Sequence, residues 1–269
     1  MDSLITKAKE LLNSGSADVV IGYGKGSAEN RTRAIFIDKP EKTDQLIYNE
    51  HCKQNLAVYL TKNEVLHHYK KIAVVAAKST LRAILQLTSE EQIIENKLIV
   101  IGLDENGQLQ DFIGFDDIEK YLSGLNHDIT DAEKAVIAKI DAMSVEERWA
   151  FWEKELSKCI KCYACRQACP MCYCNRCMVE CNQPQWVHVP AHGLGNLEWH
   201  FMRAMHLAGR CVNCGDCARA CPMEIPLNLL TYKLIEPIKN DFGAIAGLQA
   251  KMESVLSSYK VGDKEHFIL

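Results

Sequence analysis

The chain has 269 residues, of which 48 % are hydrophobic and 25 % charged, an ordinary globular balance in a chain long enough for two domains. Its formal net charge of −4 argues against nucleic acid as a general partner. No apolar run reaches the length of a membrane span, and residues 2–16 carry charges without an apolar core, so we expect neither a spanning helix nor a secretory signal.

The N-terminal part of the chain shows the pattern of an α/β domain. Residues 2–14 place apolar side chains at helical spacing and precede Gly15, which predicts a short amphipathic helix. Residues 18–23 and 33–38 are β-prone runs on either side of a segment containing Gly, Ser and Asn. We therefore expect them to form paired strands.

Three further apolar runs, residues 56–60, 72–76 and 98–102, are typical of buried strands in an α/β sheet. The segment from Ser79 to Leu87 predicts a helix between the last two runs. Residues 1–125 are therefore predicted to form an α/β domain with strand–helix–strand connectivity.

Residues 126–158 are predicted to be a helical linker. Two capping boxes indicate consecutive helices over about residues 131–142 and 145–158. The boxes pair Thr130 with Glu133 and Ser144 with Glu147.

Two matching cysteine runs follow the linker. Each run reads C-x2-C-x2-C-x3-C-P, the ligand pattern of bacterial-type [4Fe–4S] clusters, because a cysteine at every third residue of a tight turn brings three thiolates together. The proline lacks an N–H and turns the chain away. The first run contains Cys159, Cys162, Cys165 and Cys169, and the second contains Cys211, Cys214, Cys217 and Cys221.

The fourth cysteine of each run is predicted to serve the other cluster, as in two-cluster ferredoxins. Zinc is the alternative, although zinc sites usually use separated C-x2-C pairs. The predicted ligand sets are Cys159, Cys162, Cys165 with Cys221, and Cys211, Cys214, Cys217 with Cys169.

The distribution of cysteines also indicates the redox compartment. Twelve of the thirteen cysteines lie between Cys159 and Cys221, which is unlike a secreted disulfide framework. A reducing, cytoplasmic and anaerobic setting is therefore expected. Residues 151–222 carry eight Lys and Arg against five Asp and Glu, and these cations would offset the negative charge of thiolate-bound clusters.

The segment between the two runs contains four more cysteines in the pattern C-x-C-x2-C-x3-C. They could bind a third iron–sulfur cluster or zinc, supply alternative ligands, or be buried thiols that pack as small apolar residues. No histidine in this segment is assigned as a ligand. The four cysteines are Cys172, Cys174, Cys177 and Cys181.

Helices are also predicted around and after the second run, over residues 195–211, 228–236 and 248–258. The resulting fold prediction is an α/β N-terminal domain, then a mostly helical 2[4Fe–4S] ferredoxin-like domain. The latter spans residues 159–245 with the extra four-cysteine insert, and residues 246–269 form a C-terminal helix and tail.

Residues 203–227 read Arg-Ala-Met-His-Leu-Ala-Gly-Arg-Cys-Val-Asn-Cys-Gly-Asp-Cys-Ala-Arg-Ala-Cys-Pro-Met-Glu-Ile-Pro-Leu. This stretch resembles the α-helical ferredoxin domain of heterodisulfide reductase small subunits and related oxidoreductase subunits. The resemblance covers roughly residues 155–245. It implies that the chain works with other redox subunits.

The N-terminal half is similar to the beta-subunit family of deazaflavin-coenzyme-reducing hydrogenases and formate dehydrogenases, over residues 19–23, 49–60 and 71–84. Members of that family can bind FAD. This sequence departs from the family in the loop after the third strand, where Ala77–Thr80 replaces a segment that often holds a cysteine and an aspartate. Flavin-bearing and flavin-free interpretations therefore stay open.

Two main functions follow from these patterns. The chain is either a non-catalytic electron-transfer subunit with flavin-containing and other redox partners, or an enzyme whose own flavin reduces a nicotinamide, a deazaflavin or a quinone. A zinc-stapled interaction module is a third interpretation. The sequence assigns no catalytic residue.

Overall fold

The computed structural model of this chain describes residues 2–177, 184 and 187–256. Cys181 and residues 257–269 of the predicted C-terminal segment lie outside these ranges. All strands of the described residues belong to one sheet in the N-terminal part, and every element after Gln110 is helical.

The sheet has five strands in the order β2-β1-β3-β4-β5. The three inner strands are parallel, and the two edge strands are antiparallel to their neighbours. The apolar runs form the inner strands because both faces of those strands are covered. The strands are β1 (Val19–Lys25), β2 (Thr32–Ile37), β3 (Ile72–Ala76), β4 (Leu98–Leu103) and β5 (Leu109–Gln110).

Helices cover the sheet, and the remaining regular elements of the described chain are also helical. Three short 3-10 segments, Pro40–Gln45, Leu56–Thr61 and Glu95–Lys97, lie between elements of the sheet region. The α-helices are α1 (Asp2–Asn13), α2 (Asn63–His68), α3 (Lys78–Ser89), α4 (Phe115–Ser123), α5 (Asp131–Asp141), α6 (Val145–Ser157), α7 (Ala164–Gln167), α8 (Gly193–His206), α9 (Asp216–Arg219) and α10 (Leu227–Phe242).

Most predicted elements are present. The first helix, the paired strands, the β3–α3–β4 unit and the helix after the second cysteine run are confirmed. Both capping boxes are formed, since the Thr130 and Ser144 side chains accept the backbone N–H of Glu133 and Glu147. The second of these helices, α6, packs along α8.

The predicted strand at residues 56–60 is wrong, because this segment is the 3-10 helix Leu56–Thr61. The Asn55 side chain accepts the Ala57 N–H at 3.1 Å and donates to the Ser79 carbonyl at 2.8 Å, which starts a helical turn. The apolar side chains of the turn are still buried. An apolar run predicts burial, but it does not decide the element.

The predicted helix over 248–258 is also wrong for its described residues, which form no helix up to residue 256. Here side chains of α3 and α4 accept hydrogen bonds from the backbone N–H groups. Gly247 N–H donates to Gln86 Oε1 at 2.9 Å, and Ala250 N–H donates to Glu119 Oε1 at 2.6 Å. The segment is therefore held against α3 and α4.

One hydrophobic core runs from the sheet into the cysteine-rich part. The strands and α3 share it with Met171, Leu207 and Val212 from around the cysteine runs, and with Ala246 and Ala250. The cysteine region is therefore packed directly on the α/β part over the described residues.

Asp18 connects the start of β1 to the residues before β3 by hydrogen bonds. Its Oδ2 accepts the backbone N–H groups of Lys71 and Lys70 at 2.9 Å each, and these bonds hold the pKa of the Asp18 carboxyl below its usual value. A depressed folded-state pKa stabilises the fold above the unfolded-state pKa, about 3.9. That stabilisation is lost as the pH falls through the folded-state pKa.

We expect Asp18→Asn to lower the free energy of unfolding at pH 7 and to flatten its decline between about pH 5 and pH 2. Urea denaturation at a series of pH values measures both effects. Asp111→Asn is the control, because Asp111 is exposed and forms a surface ion pair with Lys7 at 3.3 Å. An Asp18→Asn profile parallel to that of the parent chain would contradict the assignment.

Candidate metal centre

The two cysteine runs have the same backbone conformation. The residue before the second cysteine is left-handed in both, with φ of 50° at Lys161 and 47° at Asn213. The residue after it is left-handed too, with φ of 58° at Tyr163 and 77° at Gly215. Three of these four are not glycine, so the conformation is costly and is typical of a functional turn.

Each run then enters a one-turn helix, α7 or α9, and the two short helices contact each other. Both runs end alike, since the residue three positions after the last cysteine donates its N–H to that cysteine's carbonyl. The distances are 3.1 Å from Cys172 to Cys169 and 3.2 Å from Glu224 to Cys221. The sequence repeat is thus a structural repeat whose halves meet.

The first predicted ligand set lines a single cavity. Its cysteines are three from the first run and one from the second: Cys159, Cys162, Cys165 and Cys221. Apolar side chains, among them Trp199, Ile225 and Leu227, complete the wall. Cys165 is buried and Cys162 is exposed, so the cavity lies at the edge of the protein.

The environment of these thiols does not by itself favour thiolates. Burial raises the pKa of Cys165 to about 11, whereas the Lys161 N–H donates to Cys159 Sγ at 3.3 Å. A thiol with a raised pKa stays protonated at neutral pH unless a positive charge is nearby. A bound metal supplies that charge and deprotonates its cysteine ligands.

The second predicted set is more deeply buried than the first. Cys211, Cys214 and Cys217 are close enough for Cys211 to raise the pKa of the other two, although burial is the larger cause and raises the pKa of Cys217 to about 11. Cys169, the predicted fourth ligand, packs with Cys211 and Cys214 against the core shared with the sheet. All eight motif cysteines are described, and none forms a disulfide.

The insert lines a second cavity through Cys172, Cys174 and Cys177. Three arginines line the same cavity: Arg166, Arg203 and Arg210. A hydrogen bond between the Cys169 and Cys172 side chains raises the pKa of Cys172. The insert therefore adjoins the first run, and Cys181, its fourth cysteine, lies outside the described residues.

Within the described ranges, no three His, Cys, Asp or Glu side chains are placed to hold one metal ion. A tetrahedral zinc site needs four ligands about 2.3 Å from one centre when they are sulfur. In a cubane each thiolate binds a separate iron, so the four sulfurs stand further apart. The first predicted set places four thiols around one cavity, which fits the ligand arrangement of a cluster.

Arg82 of α3 is a buried residue of the site that the sequence analysis did not identify. It donates to the Ala246 carbonyl through Nε at 3.2 Å and through Nη2 at 2.7 Å, and to the Val212 carbonyl through Nη1 at 3.1 Å. Its Nη1 also bonds to Asn213 Oδ1. Burial lowers the pKa of Arg82 to about 10, while Cys211 and Cys214 oppose this.

A lone Arg among the apolar residues of α3 was the available sequence signal for this contact. The α/β part thus places a guanidinium against the backbone of the second run. It would offset the charge of metal-bound thiolates there.

Asp216, inside the second run, makes a further link to the α/β part. It is buried and accepts the Asn55 N–H at 2.7 Å and Arg219 Nη2 at 2.5 Å. Because Asn55 also bonds to Ser79 at the start of α3, the second run packs near the carboxyl end of β3. This edge of the sheet therefore lies against the second run.

The histidines of the segment between the runs differ in their surroundings. His192 caps α8 by accepting the Gly195 N–H at 3.3 Å. His200 is 2 % exposed and lines the first cavity, and burial lowers its pKa to about 3. It is therefore neutral at physiological pH.

The sequence matches no family model. Over 98 residues, or 36 % of this chain, it is 36 % identical to the F420-dependent formate dehydrogenase subunit beta of Methanocaldococcus jannaschii. Over 97 residues it is 35 % identical to the F420-dependent formate dehydrogenase 1 subunit beta of Methanococcus maripaludis. The matches span only 25 % and 24 % of those two proteins.

None of the helices in the described part of the chain is both long and apolar enough to cross a membrane. Over about a third of its length, the chain is thus similar to these two formate dehydrogenase beta subunits.

Proposed function

We propose that this chain is an electron-transfer subunit of a multisubunit oxidoreductase and that it holds two [4Fe–4S] clusters. The single observation that supports this most strongly is the cavity lined by Cys159, Cys162, Cys165 and Cys221, a set drawn from both runs. A bound cluster of this type supplies a one-electron couple.

The chain's own residues would set the reduction potential of that couple. Apolar side chains form much of the wall of the first site, the Lys161 N–H donates to a ligand sulfur, and Arg82 places a cation beside the second run. Burial, hydrogen bonds to sulfur and local charge are the means by which proteins tune cluster potentials.

The two sites differ in access to solvent, which suggests a direction for transfer. The first site reaches the surface at the exposed Cys162, whereas Cys217 of the second site is buried and its run packs against the α/β part. We propose that a redox partner exchanges electrons at the first site. The second site would connect it to the α/β part.

The partners are proposed from the comparisons. The two similar proteins are named as beta subunits of F420-dependent formate dehydrogenases, so other redox subunits are the expected partners, and we propose that a flavin-containing subunit is among them. Because F420 is a deazaflavin, the same names support considering a second candidate function, in which the α/β part would hold its own flavin and reduce a deazaflavin, a nicotinamide or a quinone.

The test is metal and cofactor analysis of protein purified without oxygen. Two clusters require about eight irons and about eight sulfides per chain, with electron paramagnetic resonance signals after reduction. Zinc without iron would overturn the proposal. Flavin released by acid would favour the second candidate, and its absence would favour the relay.

The insert is proposed to bind additional metal through Cys172, Cys174, Cys177 and Cys181. The arginines that line its cavity would offset the net negative charge of a thiolate-bound cluster or zinc ion. We expect Cys174→Ser with Cys177→Ser to lose that metal and to keep about eight irons. Retention of all metal in this double variant would show that the insert thiols only pack.

A further inference from the structure

We propose that Arg203 is an electrostatic positioning residue shared by the two cluster sites, and that its charge raises the reduction potential of both. This inference rests on the proposed function, because it concerns the clusters that the two runs would hold. Arg203 lies on α8, between the insert and the second run.

The guanidinium lies close to all three groups of cysteines. Its Nη2 donates to the Cys165 carbonyl of the first run at 3.2 Å. It also lies close enough to Cys217 of the second run and to Cys172 of the insert to oppose the rise in pKa that burial causes in both thiols. One side chain therefore lies near ligands that are predicted to belong to different clusters.

The environment of Arg203 indicates a negatively charged neighbour other than a carboxylate. The residue is only 9 % exposed, and over the described residues it forms no salt bridge with Asp or Glu. The thiols that interact with it most strongly are those of Cys169 and Cys172. Buried charges are normally paired, so the cysteine groups are its counter-charge.

One hydrogen-bond donor of Arg203 has no partner among the described residues. This donor is Nε, which is buried. Buried donors are rarely left unsatisfied, and each one costs about 1–3 kcal/mol. A metal-bound thiolate or an inorganic sulfide at either site would satisfy this donor.

The sign of the effect follows from charge. Reduction adds one negative charge to a cluster, so a fixed cation nearby stabilises the reduced form and raises the potential. Because Arg203 is buried, salt screens this interaction much less than it screens a surface pair. Because both sites share the cation, both potentials should move together when it is removed.

The experiment compares wild-type protein and Arg203→Met after anaerobic loading, by redox titration followed with electron paramagnetic resonance. Both reduction equilibria should shift at least tenfold toward the oxidised form, a fall of about 59 mV for a one-electron couple. Iron content should stay at the wild-type value. If only one potential moves, or if neither does, the proposal is wrong.

Arg219→Met is the matched control. Arg219 donates to the Cys214 carbonyl at 2.6 Å, much as Arg203 donates to the Cys165 carbonyl, but its side chain is 41 % exposed. Solvent screens it, and it contacts the second run alone in the cysteine region. Its removal should shift one potential, by less than tenfold.

Should Arg203→Met lose iron, Arg203→Lys decides the matter, since it keeps the charge and loses the planar fork. If both clusters are present in Arg203→Lys and their potentials are nearly those of wild type, the result supports the proposed effect of the charge. Loss of iron in Arg203→Lys, or a shift of one potential alone, would overturn the proposal. Wild-type protein without about eight irons would instead reject the proposed function itself.

Discussion

Cys221→Ser should remove the cluster of the first run and leave the cluster of the second run in place. The reason is the crossing of ligands: Cys221 lines the cavity of Cys159, Cys162 and Cys165, although it belongs to the second run. We expect about four irons per chain to be lost. Iron analysis and the remaining paramagnetic signal measure this.

Double variants make the test independent of spectral assignment. Cys165→Ser with Cys221→Ser affects one predicted cluster, so about four irons should remain. Cys165→Ser with Cys169→Ser affects both, so about none should remain. The reverse pattern, in which Cys165 and Cys169 behave as a pair, would show that each run closes its own cluster.

Arg82→Met should destabilise the protein by about 3 kcal/mol or more and release the second cluster preferentially. The substitution leaves the buried carbonyls of Val212 and Ala246 without their charged donor. It also removes the guanidinium beside Cys211 and Cys214. Anaerobic urea denaturation of loaded protein, with iron retention followed in parallel, measures both effects.

Arg33→Met is the control for Arg82. Arg33 is exposed and donates to the Lys25 carbonyl at 3.1 Å within the β1–β2 hairpin. Its loss should change the free energy of unfolding by no more than about 0.5 kcal/mol. Equal destabilisation by the two substitutions would show that Arg82 has no special connection to the cysteine region.

The turn formed by each cysteine run was the most predictable feature because its signal is local. Spacing within each run requires only the geometry of one turn, and the repeated run contains the same information twice. The capping boxes at Thr130 and Ser144 were predictable for the same reason, since each connects residues three positions apart.

The errors arose where distant contacts decide the element. Residues 56–60 are apolar enough for a strand, but Asn55 bonds to Ser79 and turns them into a 3-10 helix. Residues 248–256 have helical spacing, but Gln86 and Glu119 take two of the backbone donors around them. In both cases a long-range hydrogen bond outweighed a weak local preference.

By itself, the sequence determined the cysteine spacing, the pairing of two equivalent turns and the β3–α3–β4 unit of the sheet. Only the tertiary structure decided that Arg82 and Arg203, from helices far apart in the chain, lie buried beside those turns. The physical reason is that the spacing of the ligands depends only on a few consecutive residues. The charges that surround the ligands come together only when the core shared by both halves forms.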